Sequence, residues 1–334
     1  MPEHRALPTV TVLGTGGTIA GAPVAGLRVG YVPGTIDIES LLDGVPGLAS
    51  LANLRAEQVA NIGSQDMRHD VWQGLATRVS ALQQDTDIDG IVVTHGTDTL
   101  EETAWFLELA VPLRKPLVLT GAMRPATALG SEGPANLYAA VAVARDEAAQ
   151  GRGALVLMNE HIHHARDVQK IAASGIAAFA SPTRGPAGIV QAGGPLFYGT
   201  ARPRAHYPWQ SAPLPPVEQW PRVGVVYAHA DMQPDLIDFM ASRYQGIVLA
   251  GVGDGNASQA AFQAIGRATG QGVAVVRASR TASGHVQRNT EVDDDALGTV
   301  AAGDLSPQKA RILLTLALMS TRDAGALQRC FDAA

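Results

Sequence analysis

Short runs of β-branched residues alternate with amphipathic segments along the first half of the chain, and this alternation constrains the fold more than any other feature. Apolar runs of this length are typical of buried strands, and the segments between them have the apolar spacing of helices. Strands that alternate with helices form a mainly parallel sheet covered on both faces. The candidate strands are residues 10–13, 59–62, 91–94, 117–120 and 155–158, and the candidate helices are 70–83, 100–109 and a third within 134–149.

A proline-rich stretch at residues 202–222 interrupts the alternation. Its six prolines argue against regular helix or strand. Beyond it the alternation resumes, with candidate strands at 223–227, 247–250 and 273–276 and candidate helices at 236–243, 257–268, 307–319 and 325–331. We therefore expect an α/β protein with a larger N-terminal domain of mainly parallel sheet (1–203), a proline-rich linker (204–222) and a smaller C-terminal α/β domain (223–334).

Charge and hydropathy limit the partners of the chain. The 334 residues carry a formal net charge of −6 and contain no run of Lys or Arg, which disfavours nucleic acid and anionic membrane surfaces. No stretch approaches the roughly 18 apolar residues of a membrane span.

The single cysteine, Cys330, excludes an intrachain disulfide. The apolar N-terminal run is short, contains Pro8 and leads into a glycine loop, so it predicts a strand and not a signal peptide. We expect a cytoplasmic protein, or a periplasmic one if a signal peptide was removed.

Clusters of glycine, hydroxyl and amide residues follow consecutive candidate strands. Each cluster alone is typical of a turn or a helix cap. In open α/β sheets, however, ligands bind beyond the carboxyl ends of the strands. Several such clusters at one sheet edge therefore favour a binding site. The clusters are GTGGT at 14–18, GSQD at 63–66, THGTDT at 94–99 and TGAMRP at 120–125.

The glycine loop after the first strand has an alternative interpretation as a dinucleotide-binding fingerprint. That fingerprint, started at Gly14, requires a glycine at position 19, where this chain has Ile19. The mismatch disfavours a nicotinamide or flavin site. Threonines on both sides of Gly16 and Gly17 favour a loop that a ligand approaches closely and that presents hydroxyl groups to it.

His161, His163 and His164 raise the alternative of a zinc site. Their spacing is compatible with zinc, but no second group of ligands is evident nearby. We expect hydrogen-bonded histidines and no metal. We also expect His95 to hold its loop by hydrogen bonding and not to act as a general base.

A threonine hydroxyl is a weak nucleophile and requires a base or a proton relay. Thr97 and Asp98 fit such a relay, and Lys170 is the distant candidate for its third member. A buried lysine beside a hydroxyl can lose its proton near neutral pH. The local pattern around Lys170, taken alone, favours a surface lysine.

With these residues, the chain resembles the bacterial L-asparaginase family, and more closely its high-affinity, periplasmic-type branch. The matching motifs occur in family order and span nearly the whole chain. The resemblance implies an amidohydrolase that converts L-asparagine to L-aspartate and ammonia through a threonine acyl-enzyme, without cofactor or metal. The motifs are TGGTIAG (15–21), NIGSQDM (61–67), THGTDTLEETAWFL (94–107), GAMRP (121–125), GPANLY (133–138), RDVQK (166–170), AGVGDGN (250–256) and EVDD (291–294).

The resemblance assigns catalytic roles to five residues. Thr18 would be the nucleophile, and Tyr31, on a mobile flap, would orient it or help to activate it. Thr97, Asp98 and Lys170 would form a second triad that relays protons. The flap segment at 22–30 is more apolar than is usual in the family.

The resemblance also assigns substrate contacts. Ser64 and Gln65 would hold the α-carboxylate and amino group of the substrate, and Asp98 would also face the ammonium. The N–H of Thr97 and the region of Ala122 would stabilise the oxyanion. In a homotetramer of intimate dimers, two further residues would complete the pocket of a neighbouring subunit; they are Asn256 and Glu291. Asp254 stands where the family has an uncharged residue, and we expect it to add negative potential near the pocket rim.

Three alternatives stay open at this point. A mixed glutaminase-asparaginase differs by one substrate methylene, which a pocket discriminates by only about 1–3 kcal/mol. An amino-acid-binding sensor would keep the pocket but would not need the two threonine hydroxyls or Lys170. An amidotransferase subunit linked to transfer RNA would need a nucleic-acid surface, which the acidic charge balance disfavours.

Overall fold

The computed structural model describes residues 7–23, 31–192, 194–201 and 204–334, and the chain divides into two units, 1–203 and 204–334. Each unit contains a sheet with parallel strands and helices between them. The predicted fold class, α/β with a larger mainly parallel N-terminal part and a smaller C-terminal part, is confirmed.

Among the described residues of unit 1, the main sheet has the strand order β12-β11-β8-β7-β6-β5-β1-β4. Strands β4, β1, β5, β6 and β7 run parallel, and β8, β11 and β12 add an antiparallel edge. The strands are β1 (Thr9–Gly16), β2 (Ala22–Pro23), β3 (Tyr31–Val32), β4 (Asn53–Ile62), β5 (Gly90–Thr94), β6 (Leu117–Thr120), β7 (Ala154–Met158), β8 (His161–His164), β9 (Gln169–Lys170), β10 (Phe179–Ala180), β11 (Gly188–Gln191) and β12 (Gly194–Phe197), and the helices are α1 (Ile38–Asp43), α2 (His69–Gln84), α3 (Leu100–Ala110) and α4 (Gly133–Ala144).

The apolar strands were predicted closely, and the edge strands were not. Strands β5, β6 and β7 are buried along their whole length, as continuous apolar runs in a covered parallel sheet should be. Strand β4 begins at Asn53, well before the predicted start, because it lies at the edge and its half-exposed N-terminal part is polar. The histidine cluster at 161–164 proves to be strand β8, which leaves only Ile162 and His163 buried.

Unit 2 contains a parallel sheet of order β13-β14-β15-β16. The preceding residues, 204–222, include two short 3-10 helices, Pro208–Ser211 and Val217–Gln219, which the prolines had been expected to exclude. The strands are β13 (Val223–Tyr227), β14 (Gly246–Gly251), β15 (Ala274–Ser279) and β16 (Thr299–Ala301), and the helices are α5 (Asp235–Ala241), α6 (Gln259–Gly270), α7 (Asp294–Leu297), α8 (Pro307–Ala317) and α9 (Ala324–Asp332).

The strand order of unit 1 brings the predicted polar clusters to one edge. Strands β4, β1, β5 and β6 are parallel neighbours, so their carboxyl ends lie side by side. After β1 the chain adds β4 on one side and then β5 on the other, which makes the β1–β5 boundary a topological switch point. Ligand crevices in open α/β sheets form at such points.

Gly16 and Gly17 allow the β1 loop to pass between its neighbours. Both have positive φ, at 95° and 81°. A Cβ on Gly16 would lie 2.6 Å from the backbone N and O of Ile62, and one on Gly17 would lie 2.3 Å from the backbone N of Gly96. Only glycine fits both the backbone conformation and the space.

We predict that Gly17→Ala lowers the free energy of unfolding by more than about 2 kcal/mol, because the Cβ meets backbone and the φ is strained. Gly74→Ala is the matched control, since Gly74 lies in α2 and its Cβ would meet nothing within 4 Å. The control should gain about 0.5–1 kcal/mol. Thermal and urea unfolding of both variants test this, and equal stability of Gly17→Ala and wild type would contradict it.

Candidate active site

Hydrogen bonds join the ends and loops of β1, β4, β5 and β6, with β6 connected through His95 N, which donates to the carbonyl of Thr120 at 2.8 Å. Thr15 Oγ1 donates to the carbonyl of Thr94 at 2.8 Å, and Gly17 N donates to the carbonyl of Ile62 at 2.9 Å. Asp98 N donates to Ser64 Oγ at 3.1 Å, which connects the β5 loop to the β4 loop. The clusters that the sequence gives separately therefore form one continuous group at the sheet edge.

Thr18 begins a one-turn 3-10 helix immediately after the glycine pair, and its side chain is buried. The contact of Gly17 with Gly96 holds the turn against the loop that carries Thr97 and Asp98. The backbone of Tyr31 pairs with Pro23 in a short antiparallel hairpin. The side chain of Tyr31 and residues 24–30 of the predicted flap lie outside the described residues.

Lys170 lies against Thr97 and Asp98. Its Nζ donates to Thr97 Oγ1 at 2.9 Å and to Asp98 Oδ1 at 2.6 Å. The Lys170 side chain is only 16% exposed, whereas that of Asp98 is 60% exposed. The interpretation of Lys170 as a surface lysine is therefore wrong. The geometry gives a hydroxyl in contact with a cation, and a carboxylate that reaches from that cation to solvent.

Glu101, which the sequence reasoning did not single out, fixes the backbone at Lys170. Its side chain is buried in the first turn of α3, and its carboxylate accepts a hydrogen bond from Lys170 N. Strand β9 is further held by pairing with β10. Helix α3 contains three glutamates, and the sequence does not show which of them is buried, although a buried carboxylate requires a partner.

The buried ring of His95 holds the β5 loop through both of its nitrogen atoms. Its Nδ1 lies 2.7 Å from the carbonyl of Gly96, and its Nε2 lies 2.8 Å from Thr103 Oγ1. The carbonyl of Gly96 can only accept, so Nδ1 carries the proton of the neutral ring, and Nε2 accepts from Thr103 Oγ1, which itself accepts from Trp72 Nε1. Burial lowers the pKa of His95 to about 4, so the ring is neutral at physiological pH. These contacts agree with the expected role in holding the loop.

Ser64 and Gln65 follow β4 and differ in exposure. Ser64 is buried, and its Oγ accepts from Asp98 N while its carbonyl accepts from Thr99 Oγ1 at 2.7 Å. Its hydroxyl proton can still be donated to an anion. Gln65 is exposed, and its amide folds over Gly63. This loop therefore offers a buried hydroxyl bonded to the Asp98 backbone and, at the next residue, an exposed amide.

Ala122 is buried in the loop after β6. Two residues that sequence reasoning left without a role hold this loop. Glu132 accepts from the backbone N–H groups of Met123 and Arg124, and Asn136 donates to the carbonyl of Gly121 at 3.0 Å. The signal for Asn136 was an amide on the buried face of helix α4.

Asn256 and Glu291 lie together in unit 2. Asn256 Nδ2 donates to Glu291 Oε2 at 2.7 Å. Asn256 Oδ1 accepts from Ala257 N at 2.9 Å, which fixes the amide orientation. An amide and a carboxylate that are distant in sequence therefore form one polar pair.

Two histidines of the 161–164 cluster make hydrogen-bond contacts. His161 Nδ1 lies 2.9 Å from the carbonyl of Asn159, and His163 Nδ1 lies 2.9 Å from Ser181 Oγ. Within the described ranges, no three His, Cys, Asp or Glu side chains are grouped as a metal site would require. Of the helices in those ranges, none is both long and apolar enough to cross a bilayer.

Known proteins similar to this chain match it along nearly its whole length. A family model described as "Asparaginase, N-terminal" matches residues 9–202, and one described as "Glutaminase/Asparaginase C-terminal domain" matches residues 222–331. L-asparaginase 2 of Escherichia coli (strain K12) is 43% identical, over 98% of this chain and 93% of that protein. The probable L-asparaginase periplasmic of Haemophilus influenzae is 42% identical over the same shares. The glutaminase-asparaginase of Pseudomonas fluorescens biotype A is 40% identical, over 97% of this chain and 90% of that protein.

We predict that His95 makes the free energy of unfolding depend on pH. Its pKa is about 4 in the folded chain and about 6.5 when unfolded, so the unfolded chain binds the extra proton between these values. The stabilisation is complete above pH 6.5 and decreases by about 1.4 kcal/mol per pH unit as pH falls toward 4. Urea unfolding between pH 7.5 and 4.5 should show a shallower slope for His95→Gln than for wild type. Parallel slopes would contradict the prediction.

Proposed function

This chain belongs to the asparaginase family, as its motifs predicted, and from that membership we propose that it hydrolyses the side-chain amide of L-asparagine to L-aspartate and ammonia. The observation that carries the proposal is the contact of Lys170 Nζ with both Thr97 Oγ1 and Asp98 Oδ1. Thr97 and Asp98 lie on the loop against which the Thr18 turn packs. Relatives named L-asparaginases support the choice of substrate.

The substrate is a zwitterion, so the site must offer an anion contact and a cation contact a few ångströms apart. We assign the ammonium to the exposed carboxylate of Asp98. We assign the α-carboxylate to Ser64, whose hydroxyl proton is available, and to Gln65. These contacts do not react, but they place the amide carbon at the nucleophile, and such positioning lowers the barrier.

We assign the attack to Thr18. Its Oγ1 bonds to the amide carbon, and the carbonyl π electrons move to the oxygen. The oxyanion accepts hydrogen bonds from the N–H of Thr97 and from the region of Ala122. The threonine proton reaches the amide nitrogen, the C–N bond breaks, and ammonia leaves. The oxygen of a water molecule then bonds to the ester carbon, the bond from that carbon to Thr18 Oγ1 breaks, and one proton of the water returns to Thr18 as L-aspartate leaves.

Proton transfer is the task we assign to Thr97, Asp98 and Lys170, and Tyr31 would orient or help to activate Thr18. Lys170 Nζ is within hydrogen-bond distance of a hydroxyl and a carboxylate at once. This is the geometry of a relay, in which a proton moves between neighbours without rearrangement of the chain. A sensor that only binds an amino acid has no use for it, so we favour the enzyme over the sensor alternative.

A side activity on L-glutamine is part of the proposal. The Pseudomonas fluorescens relative is named a glutaminase-asparaginase. Glutamine is longer by one methylene, and a pocket discriminates one methylene by only about 1–3 kcal/mol. We therefore propose asparagine as the preferred substrate and glutamine as a slower one.

The proposed assembly is a homotetramer of intimate dimers. Residues 1–203 would form the catalytic domain, 204–222 a linker, and 223–334 a domain that contributes to a neighbouring subunit's site. The Asn256–Glu291 pair would make that contribution, since an amide and a carboxylate suit the substrate's polar groups. For the compartment we propose the cytoplasm, with the periplasm as the alternative because one relative is named periplasmic.

Ammonia release by the purified protein tests the function. L-asparagine and L-glutamine are each supplied at low and high concentration. The proposal predicts fast release from asparagine and slower release from glutamine. Comparable rates would favour a mixed glutaminase-asparaginase, and binding of asparagine without release would favour the sensor.

We predict that Thr18→Ala reduces turnover by at least about a thousandfold, because it removes the nucleophile, while asparagine binding by calorimetry stays within a fewfold of wild type. Thr18→Ser is the matched control, since it keeps a hydroxyl and should keep partial activity. If Thr18→Ala retains most of its activity, the assignment is wrong and Thr97 becomes the candidate nucleophile.

A further inference from the structure

The side chain of Asp254 connects the two loops of unit 2 that carry Asn256 and Glu291. Asp254 Oδ1 accepts from Gln287 N at 2.8 Å, and Oδ2 accepts from Thr290 Oγ1 at 3.0 Å. Thr290 precedes Glu291 directly, and Asp254 lies two residues before Asn256. One carboxylate therefore sets the distance between the residues that meet as an amide–carboxylate pair.

The loop that carries Asp254 is tight. Val252 and Asn256 exchange backbone hydrogen bonds at 2.8 and 2.7 Å, and Gly253 and Gly255 between them have positive φ. A loop closed on itself in this way gives Asp254 and Asn256 a fixed relation to each other. Any contact that holds Asp254 therefore also holds Asn256.

A buried ion pair fixes the backbone of both loops, the one that carries Asp254 and the one that carries Gln287. Arg277 is bidentate to Asp294 at 2.7 Å in each bond, and both side chains are inaccessible to solvent. Arg277 also donates to the carbonyls of Asp254 and Gln287, each at 3.0 Å. Burial alone would raise the pKa of Asp294, but hydrogen bonds from Arg277, Thr299 and Asn289 outweigh it and hold the pKa below its usual value.

We infer that Asp254 is a positioning residue for substrate binding, which sets the Asn256–Glu291 pair through its bonds to Gln287 and Thr290. The inference rests on the proposed function, in which that pair contacts the substrate. It replaces the expectation that Asp254 acts through negative potential at the pocket rim. Both carboxylate oxygens of Asp254 instead accept hydrogen bonds from the neighbouring loop.

The physical gain is preorganisation. A glutamate side chain loses rotamer entropy when it is fixed in one conformation. Here Glu291 is already held at one oxygen by Asn256, on a loop that Asp254 holds. Less of that entropy is therefore lost when the substrate binds. We call the two hydrogen bonds from Gln287 and Thr290 to Asp254 the tie between the loops, and breaking this tie should raise KM more than it changes kcat.

The test compares Asp254→Ala, Asp254→Asn and Thr290→Val. Asparagine is isosteric: its Oδ1 accepts from Gln287 N and its Nδ2 donates to Thr290 Oγ1, so the tie survives without the charge. Alanine removes both bonds, and Thr290→Val removes one. Arg288→Ala is the matched control, because Arg288 lies in the same segment but its side chain pairs with Asp295 and not with Asp254.

We expect Asp254→Ala to raise KM for L-asparagine about tenfold, equivalent to about 1.4 kcal/mol, with kcat changed less than threefold. Asp254→Asn and Arg288→Ala should stay within about threefold of the wild-type KM, and Thr290→Val should lie between. The double variant Asp254→Ala/Thr290→Val should bind no worse than Asp254→Ala, because both changes break the same tie.

Two results would overturn the inference. If Asp254→Asn impairs KM as much as Asp254→Ala, the charge acts and not the tie. If the wild type is active and every variant has the same KM as the wild type, Asp254 does not position the site. Where Asp254→Ala does not fold, as judged by thermal unfolding, Thr290→Val carries the test. A wild type without ammonia release would instead refute the proposed function, which separates the two failures.

Discussion

The approach of the β1 loop to the loops on either side of it is the constraint on which the unit 1 site depends. Gly16 touches the backbone of Ile62, and Gly17 touches that of Gly96. Parallel strands lie about 4.8 Å apart, so the backbones of loops that leave adjacent strands can touch directly only where no side chain lies between them. The glycine pair thus brings Thr18, Ser64 and Thr97 onto one edge, and each of these side chains is buried there.

Burying so many polar groups is costly unless each has a partner, and the structure provides partners from behind the site. His95 is a clear case, because its neutral ring donates to Gly96 and accepts from Thr103 in a network closed by Trp72. Its pKa of about 4 keeps charge away from the loop that carries Asp98. Glu101 provides the partner for the backbone N–H of Lys170, from which its carboxylate accepts a hydrogen bond. The groups facing the crevice can therefore remain polar and fixed together.

The sequence predicted what depends on local pattern and missed what depends on distant contacts. Strands β5 and β6 were placed within one residue because buried apolar runs have a clear signature. The polar clusters after them were found because the strands were found. The local pattern alone favoured a surface position for Lys170, because the residues near it in sequence give no sign of a contact with Thr97, more than seventy residues away; only the family resemblance assigned it to the triad. Glu101 and Asn136 were missed for the same reason. The β8 histidines raised the alternative of a ligand cluster because a four-residue strand with three histidines shows too little apolar alternation to be recognised as a strand.

In unit 2 the candidate residues also follow the carboxyl ends of parallel strands, but strand pairing alone does not fix their positions. The loop with Asn256 leaves β14 directly, whereas Glu291 lies a dozen residues beyond the end of the neighbouring strand β15. Strand pairing at Gly251 and Ser279 fixes the start of both segments, but its influence is lost over such a length. The position of Glu291 must therefore be set again by contacts made locally. Arg277 and Asp294 supply them to the backbone, and Asp254 supplies them at the residue next to Glu291. A carboxylate suits this position because its two oxygens accept from two donors at once, one on the backbone and one on a side chain.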